Sequence, residues 1–237
     1  MNSKELTNEI RLFCESNANP VIVKKYSRFF KEGYDGYGLD LAVFNGKISE
    51  LYTNNQLTLK LVLETAPFLI QSGKFEETSF AAYLLKHFNN EYSLEIFHEI
   101  EKWFSIGINN WAHTDFISSD ILAEFLLKKI VKLNDFSKWL SSENKFQRRA
   151  VPVSFIKLLK HNYNFSELFE FIEPLMTDKE REVHQGVGWF LREVWKLKKD
   201  ETEKFLFKWK NVSPRLIYQY ATEKMTKEEK LRFKKEK

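Results

Sequence analysis

Cysteine is almost missing. Cys14 stands alone among 237 residues, so no intramolecular disulfide can form, and without any Cys/His cluster at zinc-finger spacing no structural zinc is expected. Glycine and proline are scarce as well, at 8 and 5. That is too few turn formers for a many-stranded sandwich, and too few for the Gly-rich phosphate loops of nucleotide-binding α/β folds. No apolar stretch reaches the roughly 20 residues that span a bilayer. The opening Met1-Asn2-Ser3-Lys4-Glu5 also lacks the apolar segment of a secretory signal. A soluble, cytoplasmic protein with no membrane contact is expected. Strong charge imbalance is lacking too: 37 Lys and Arg against 33 Asp and Glu give a net +4 and a pI near 8.9. A polyanion-binding surface must therefore come from clustering of cations, not from their total.

What the chain does have is apolar and aromatic material. Hydrophobic residues make up 43% and aromatics 16%, with 22 Phe and 6 Trp, which is enough for a continuous core and excludes a disordered chain. Apolar positions recur at helical spacing, as in Ile10, Phe13 and Cys14, in Leu84, Leu85 and Phe88, and in Ile121, Leu122, Phe125 and Leu126. Breaks fall at Ser16 to Pro20, Glu32 to Gly38, Thr53-Asn54-Asn55, Gln71-Ser72-Gly73, Asn89-Asn90, Gly107 to Asn110, Ser141 to Asn144, Thr177-Asp178 and Ser213-Pro214. They divide the chain into about a dozen helices of ordinary length. Thr177 or Asp178 is placed to cap the helix that follows, and Pro214 to occupy a first turn. Short helices without long linkers suit an α-solenoid of paired helices, with a compact irregular bundle as the alternative. One domain over residues 1–237 is expected, with the charge-rich tail 222–237 fraying.

Four sequence islands carry chemistry. In Asn109-Asn110-Trp111-Ala112-His113-Thr114-Asp115, an indole and a carboxylate stand four residues apart, neighbours on one helix face. Lys145-Phe146-Gln147-Arg148-Arg149-Ala150 opens an apolar helix, its adjacent arginines pointing different ways; Pro152 soon after is best tolerated in a first turn. Gly186-Val187-Gly188-Trp189-Phe190-Leu191-Arg192-Glu193 sets two glycines inside a helical pattern. Mid-helix glycine costs about 1 kcal/mol against Ala, so a packing reason or close approach by a neighbour is expected. The broken basic series Lys157, Lys160, His161, Arg192, Lys196, Lys198 and Lys199 is able to line a face that follows phosphates. Singly, each feature reads as packing, capping or solvated surface. Trp103, Trp139, Trp195 and Trp209 are read as packing, and His161 and His184 as no metal site.

Together, in this order and at these separations, the Trp-x-x-x-Asp pair, the later Arg-Ala and the Gly-Trp-x-Leu-Arg-Glu string resemble the AlkD-type DNA alkylation repair family. The resemblance runs from about Trp103 to Trp195. It implies an all-α, HEAT-like helical-repeat solenoid of degenerate repeats, curved with a concave basic face around duplex DNA. It also implies a monomeric glycosylase that excises cationic N3- or N7-alkylated purines with no metal or organic cofactor. By motif, Asp115 is then the catalytic carboxylate, Trp111 and Trp189 are aromatic walls, and Arg149 contacts the DNA backbone, with Arg148 as its alternate. An alkylated purine is already cationic and leaves readily, so a carboxylate that stabilises the sugar cation suffices, and indole faces attract the charged base. His113 is not needed by this chemistry. The resemblance further implies a shallow site in which the lesion stays stacked and bulky adducts are tolerated. The chain departs from the family at Gly38-Leu39-Asp40-Leu41-Ala42-Val43, which lacks the Pro and Arg carried there by relatives. Two other functions remain compatible with the residues: a non-catalytic binder of duplex or branched DNA, and a scaffold that binds a protein.

Overall fold

The computed structural model describes every residue except 32, 54–56, 162 and 237. The expected break residues Glu32, Asn54 and Asn55, and the last residue of the tail, lie outside the described residues. Among those described there is no strand, and the chain is all-α as expected. No helix among them is long and apolar enough to cross a membrane. The chain divides into two compact units, residues 1–113 and 114–237.

The first unit comprises α1 (Ser3–Ser16), α2 (Pro20–Ser27), α3 (Leu41–Thr53), α4 (Leu59–Gln71), α5 (Phe75–His87), a 3-10 turn at Asn89–Glu91, α6 (Leu94–Ile106) and the start of α7 (Trp111–Phe116). Short polar side chains start these helices. Asn2 and Glu5 form a reciprocal capping box on α1, Asn19 caps α2 with Pro20 at its first position, and Thr58 caps α4, each such cap contributing about 1 kcal/mol. α5 packs against α1, α3 and α4, and α4 also meets α6. Leu6, Ile10, Cys14, Leu69, Phe80, Leu85, Phe97 and Ile100 are fully enclosed between them. α2 alone buries no residue.

In the second unit, α7 runs on through a π-helical turn at Ile117–Leu122 into α8 (Ala123–Leu127), followed by a 3-10 stretch at Leu133–Ser141. Then come α9 (Lys145–Leu158), α10 (Phe165–Ile172), a 3-10 turn at Glu173–Thr177, α11 (Arg181–Trp195), α12 (Lys199–Trp209), α13 (Arg215–Ala221) and α14 (Lys227–Leu231). α11 is the central member, packed on α9, α12 and α13. Trp139, Phe136, Phe155, Phe190, Leu191 and Val194 form the core around it. Burial of Trp103 and Trp139 matches their reading as packing residues.

Two local expectations need correction. Pro152 is not in a first turn: Asn144 caps α9 and starts it at Lys145, which leaves Pro152 in its interior. The ring denies the Arg148 carbonyl its usual helical donor, and the burial of every residue from Arg149 to Phe155 offsets that loss. Pro214 falls one position before α13, whose first residue is Arg215. In the tail, Thr226 and Glu229 form a capping box on α14, and Phe233, buried, stacks on Phe207 at 4.7 Å.

The candidate active site

The α6–α7 break ends at Asn110, whose side-chain oxygen accepts the His113 N–H at 3.0 Å and so starts α7. Trp111 is the first residue of that helix and remains 37% exposed. Phe30 stacks on its ring at 5.4 Å and 15°, and the indole Nε1 donates to the Phe29 carbonyl at 3.3 Å. Phe30, Tyr34 and Phe75 form an aromatic cluster bordering a cavity of about 370 Å³, whose wall also includes Asp35, Asn109 and Asn110.

His113, buried, holds this end of α7 to α5. Its Nε2 donates to the Phe75 carbonyl at 2.9 Å and lies 3.1 Å from Ser79, its Nδ1 accepts from Asn110 at 2.7 Å, and its ring stacks on Phe75 at 4.4 Å. Burial pushes its pKa down to about 4, so it is neutral near pH 7 and acts as a brace.

Asp115, in the second unit, does not cap a helix; it is the fifth residue of α7. Its two oxygens receive Nε and Nη2 of Arg149, each at 2.8 Å. Arg149 reaches it from α9 and gives its remaining terminal nitrogen to the Glu182 carbonyl of α11 at 2.7 Å. Side-chain exposure is 17% for Asp115 and 7% for Arg149. Burial pushes the Asp115 carboxyl above its ordinary range, while the hydrogen bonds and charge of Arg149 pull it back. Protonating it would strand a buried guanidinium that cannot itself be deprotonated, so the pair is ionised at neutral pH. A fork-to-carboxylate contact of this kind fixes orientation as well as charge.

The island glycines explain how Arg149 gets there. A Cβ at Gly186 would stand 3.0 Å from the Arg149 Cγ, and one at Gly188 would stand 2.5 Å from the Tyr220 Cβ and 2.7 Å from the Ile217 carbonyl. The expected close approach is thus real on both sides of α11: against α9 at Gly186 and against α13 at Gly188. Glu182, Gly186 and Trp189 follow one another at i, i+4 and i+7, one face of α11. Trp189 is half-buried there, one turn beyond the glycine that touches Arg149.

A family model described as DNA alkylation repair enzyme matches residues 11–225. The chain belongs to that family. Among solved structures, a predicted DNA alkylation repair enzyme from Enterococcus faecalis is 19% identical with a TM-score of 0.73, covering 89% of this chain and 98% of that one. AlkD2 from Streptococcus mutans is 23% identical with a TM-score of 0.58, covering 84% of this chain and 95% of that one. At these identities the likeness is one of fold, the AlkD-type helical-repeat fold. No curated protein matches the sequence significantly.

Many other charges of this DNA alkylation repair protein are paired internally. Arg148 makes a second fork, Nε to Asp178 at 2.6 Å and Nη2 at 3.1 Å, with Nη1 on the Ser142 carbonyl at 2.6 Å. The two arginines do point different ways, but neither points to solvent. Asp178 is therefore no cap of the α11 first turn; it binds Arg148 and the Glu180 N–H. In the basic series, Lys157 pairs with Glu124, Arg192 with Glu193 and Glu223, Lys196 with Glu193, Lys198 with Glu201 and Lys199 with Glu229, while Lys160 and His161 are exposed with no ion pair among the described residues. At the turn before α3, the Glu76 carboxylate accepts the N–H groups of Tyr37, Gly38 and Leu39 at 2.8, 2.7 and 3.2 Å. Those donors are closed to any outside anion.

Two features of the site escape sequence reasoning. Partnership of Asp115 with Arg149 spans 34 residues and has no local signal. The π-helical turn directly after Phe116 has one: Ser118 and Ser119 return their hydroxyls to the carbonyls of Thr114 and Asp115, 2.7 and 2.8 Å away. Back-bonding of this kind bends helices, and single π turns recur at functional sites.

Proposed function

We propose that the protein is a monofunctional DNA glycosylase that hydrolyses the N-glycosidic bond of cationic N3- or N7-alkylated purines in duplex DNA. The observation that carries this reading is the Asp115 carboxylate, partly exposed and held in a two-point contact by a buried arginine. In the reaction the C1′–N bond breaks with its electron pair going to the base, which leaves neutral, and positive charge develops on the sugar. Asp115 stabilises that charge and orients a water whose oxygen bonds to C1′ and whose proton passes to solvent. Trp111 and Trp189 offer indole faces to the cationic base, worth about 0.5–2 kcal/mol depending on desolvation.

In this reading Arg149 is a positioning residue, and so is Arg148 through the Asp178 loop. With every guanidinium nitrogen of Arg149 already donating within the protein, its contribution reaches DNA through Asp115. The test is release of 7-methylguanine or 3-methyladenine from methylated duplex DNA at enzyme excess. Release that is abolished or strongly slowed by Asp115→Asn supports the reading. No release by the wild-type protein rejects it and leaves a non-catalytic DNA binder.

A further inference from the structure

The cations of this chain exist in two conditions. Across α9 to α12 most of them are paired with carboxylates, Lys160, Lys179, Arg181 and Lys204 being exposed with no ion pair among the described residues, and in the first unit Arg11 meets Glu77, Lys47 meets Glu9 and Glu50, and Lys74 meets Asp35. The segment Lys24-Lys25-Tyr26-Ser27-Arg28-Phe29-Phe30-Lys31 gathers unpaired cations within eight residues. Lys24, Lys25, Arg28 and Lys31 are all exposed, and none of them has a carboxylate within ion-pair distance among the described residues. Lys24 and Arg28, four positions apart, repel one another.

Favourable placement at a helix C-terminus accounts for part of this. Lys24 and Lys25 lie in the last turn of α2, where the macrodipole favours positive charge. It does not account for Lys31, which lies beyond the helix, nor for the apolar side chains among the cations. Val21 and Phe29 are 75% and 53% exposed, Tyr26 is exposed too, and α2 buries nothing at all. A helix in a folded unit normally gains its stability from a buried stripe. α2 instead turns a mixed aromatic and cationic surface to solvent. Arg28 lies over the Phe29 ring at 4.8 Å and Lys25 over the Tyr26 ring at 5.7 Å.

What fixes this segment is its far end. Phe30 is its one buried residue, and it stacks on Trp111, while the Phe29 carbonyl accepts the Trp111 indole N–H. The exposed cations are thus anchored directly to the tryptophan that the proposed function brings to the lesion. We propose that residues 20–31 are a docking surface for the sugar-phosphate backbone of duplex DNA. Lys24, Lys25, Arg28 and Lys31 neutralise phosphates, and the Tyr26 and Phe29 rings lie against sugars. The occupant follows from charge complementarity, since uncompensated cations are the ones that release counterions from a polyanion. The proposal rests on DNA as partner and does not depend on base excision.

The experiment uses the full-length protein and an undamaged 25-base-pair duplex, with Kd measured by fluorescence anisotropy between 50 and 200 mM NaCl. A Lys24→Ala/Lys25→Ala/Arg28→Ala/Lys31→Ala variant is expected to lower the slope of log K against log salt by about 3, near the value for loss of that many phosphate contacts. Its affinity at 50 mM salt falls by about a hundred-fold or more, because the lost salt-dependent contribution is largest there. A charge-conserving variant, with each Lys changed to Arg and Arg28 to Lys, stays within about three-fold of wild type. Lys196→Ala/Lys199→Ala, which removes paired cations, leaves the slope unchanged. Since α2 buries no residue, the variants fold, and far-UV circular dichroism and melting curves verify it.

A slope that stays at the wild-type value in the quadruple variant overturns the proposal. So does a charge-conserving variant as weak as the alanine one, or wild-type protein that binds anionic lipid vesicles more tightly than duplex DNA at equal salt. Because the duplex is undamaged and the readout is binding, failure here is distinct from failure to excise a base.

Discussion

Replacing Asp115 by Asn keeps the shape of the side chain and removes one charge. Both Asp115 oxygens are held at 2.8 Å by Arg149 from the buried side, so a developing sugar cation has to meet the carboxylate from its exposed edge. At ~4 Å and an effective dielectric constant of ~20, a carboxylate attracts a unit cation by ~4 kcal/mol. The guanidinium, ~7–8 Å from the same point, repels it by ~2 kcal/mol, which leaves a net ~2 kcal/mol, or ~30-fold in rate. Asp115→Asn abolishes the attraction and keeps the repulsion, a swing of ~4 kcal/mol, about a thousand-fold slower. Adding Arg149→Met removes the repulsion as well, so the double variant is expected to be ~30-fold faster than Asp115→Asn alone. The assay is single-turnover release of 7-methylguanine from methylated duplex. Unfolding curves are run beside it, because a buried arginine without its counter-charge destabilises by up to ~3–5 kcal/mol. In protein that remains folded, an Asp115→Asn rate within about ten-fold of wild type refutes the reasoning. A double variant no faster than the single refutes it equally.

The remaining predictions concern the supports of that pair. Gly188→Ala drives a methyl into the Tyr220 Cβ and the Ile217 carbonyl; overpacking by ~1–3 kcal/mol exceeds the gain in helix propensity, and the melting temperature is expected to drop by several degrees. An unchanged or higher melting temperature contradicts it. Gly186→Ala presses on the flexible Arg149 stem and is expected to slow base release with little loss of stability; equal losses in both count against the positioning role. His113 titrates at about 4 in the folded chain against 6.5 ordinarily, so between those values the unfolded state carries a proton that the folded state refuses. Its contribution is present above pH 6.5 and lost as pH falls toward 4, about 3 kcal/mol in all. His113→Gln, able to keep a donor for the Phe75 carbonyl, is expected to flatten that part of a denaturant-stability profile; a profile parallel to wild type excludes it.

Helix boundaries were legible because the chain marks them with few and unambiguous residues. Asn19, Gly73, Gly107, Asn144 and Ser213 each stand between helices, as periodicity and turn chemistry require. Proline inside a buried helix was not legible: Pro152 is tolerated through the packing of α9 on α11, a contact across more than 30 residues that no local rule contains. The glycines of α11 were legible as close approaches, although the sequence does not say which surface each meets. The islands pointed to Asp115 and Arg149 separately, and the ion pair between them comes from tertiary packing alone.

That ion pair decides how the two kinds of cation divide the work. A carboxylate at 2.8 Å cancels most of the field of Arg149 beyond a few ångströms, so a paired arginine gives orientation but little counterion release. Lys24, Lys25, Arg28 and Lys31 have the opposite character, with charge uncompensated and geometry loose. Affinity is therefore expected to follow the segment 24–31, and the rate at saturating enzyme to follow Asp115 and Arg149. In a matched set, alanine variants of 24–31 raise Kd and reduce its salt dependence while the saturated single-turnover rate stays within about three-fold, since weak binding is overcome by concentration. Asp115→Asn does the reverse, slowing release by orders of magnitude with Kd and salt slope near wild type. If the two sets of variants lose binding and rate in parallel, the cations do not divide in this way, and the paired and unpaired groups act as one surface.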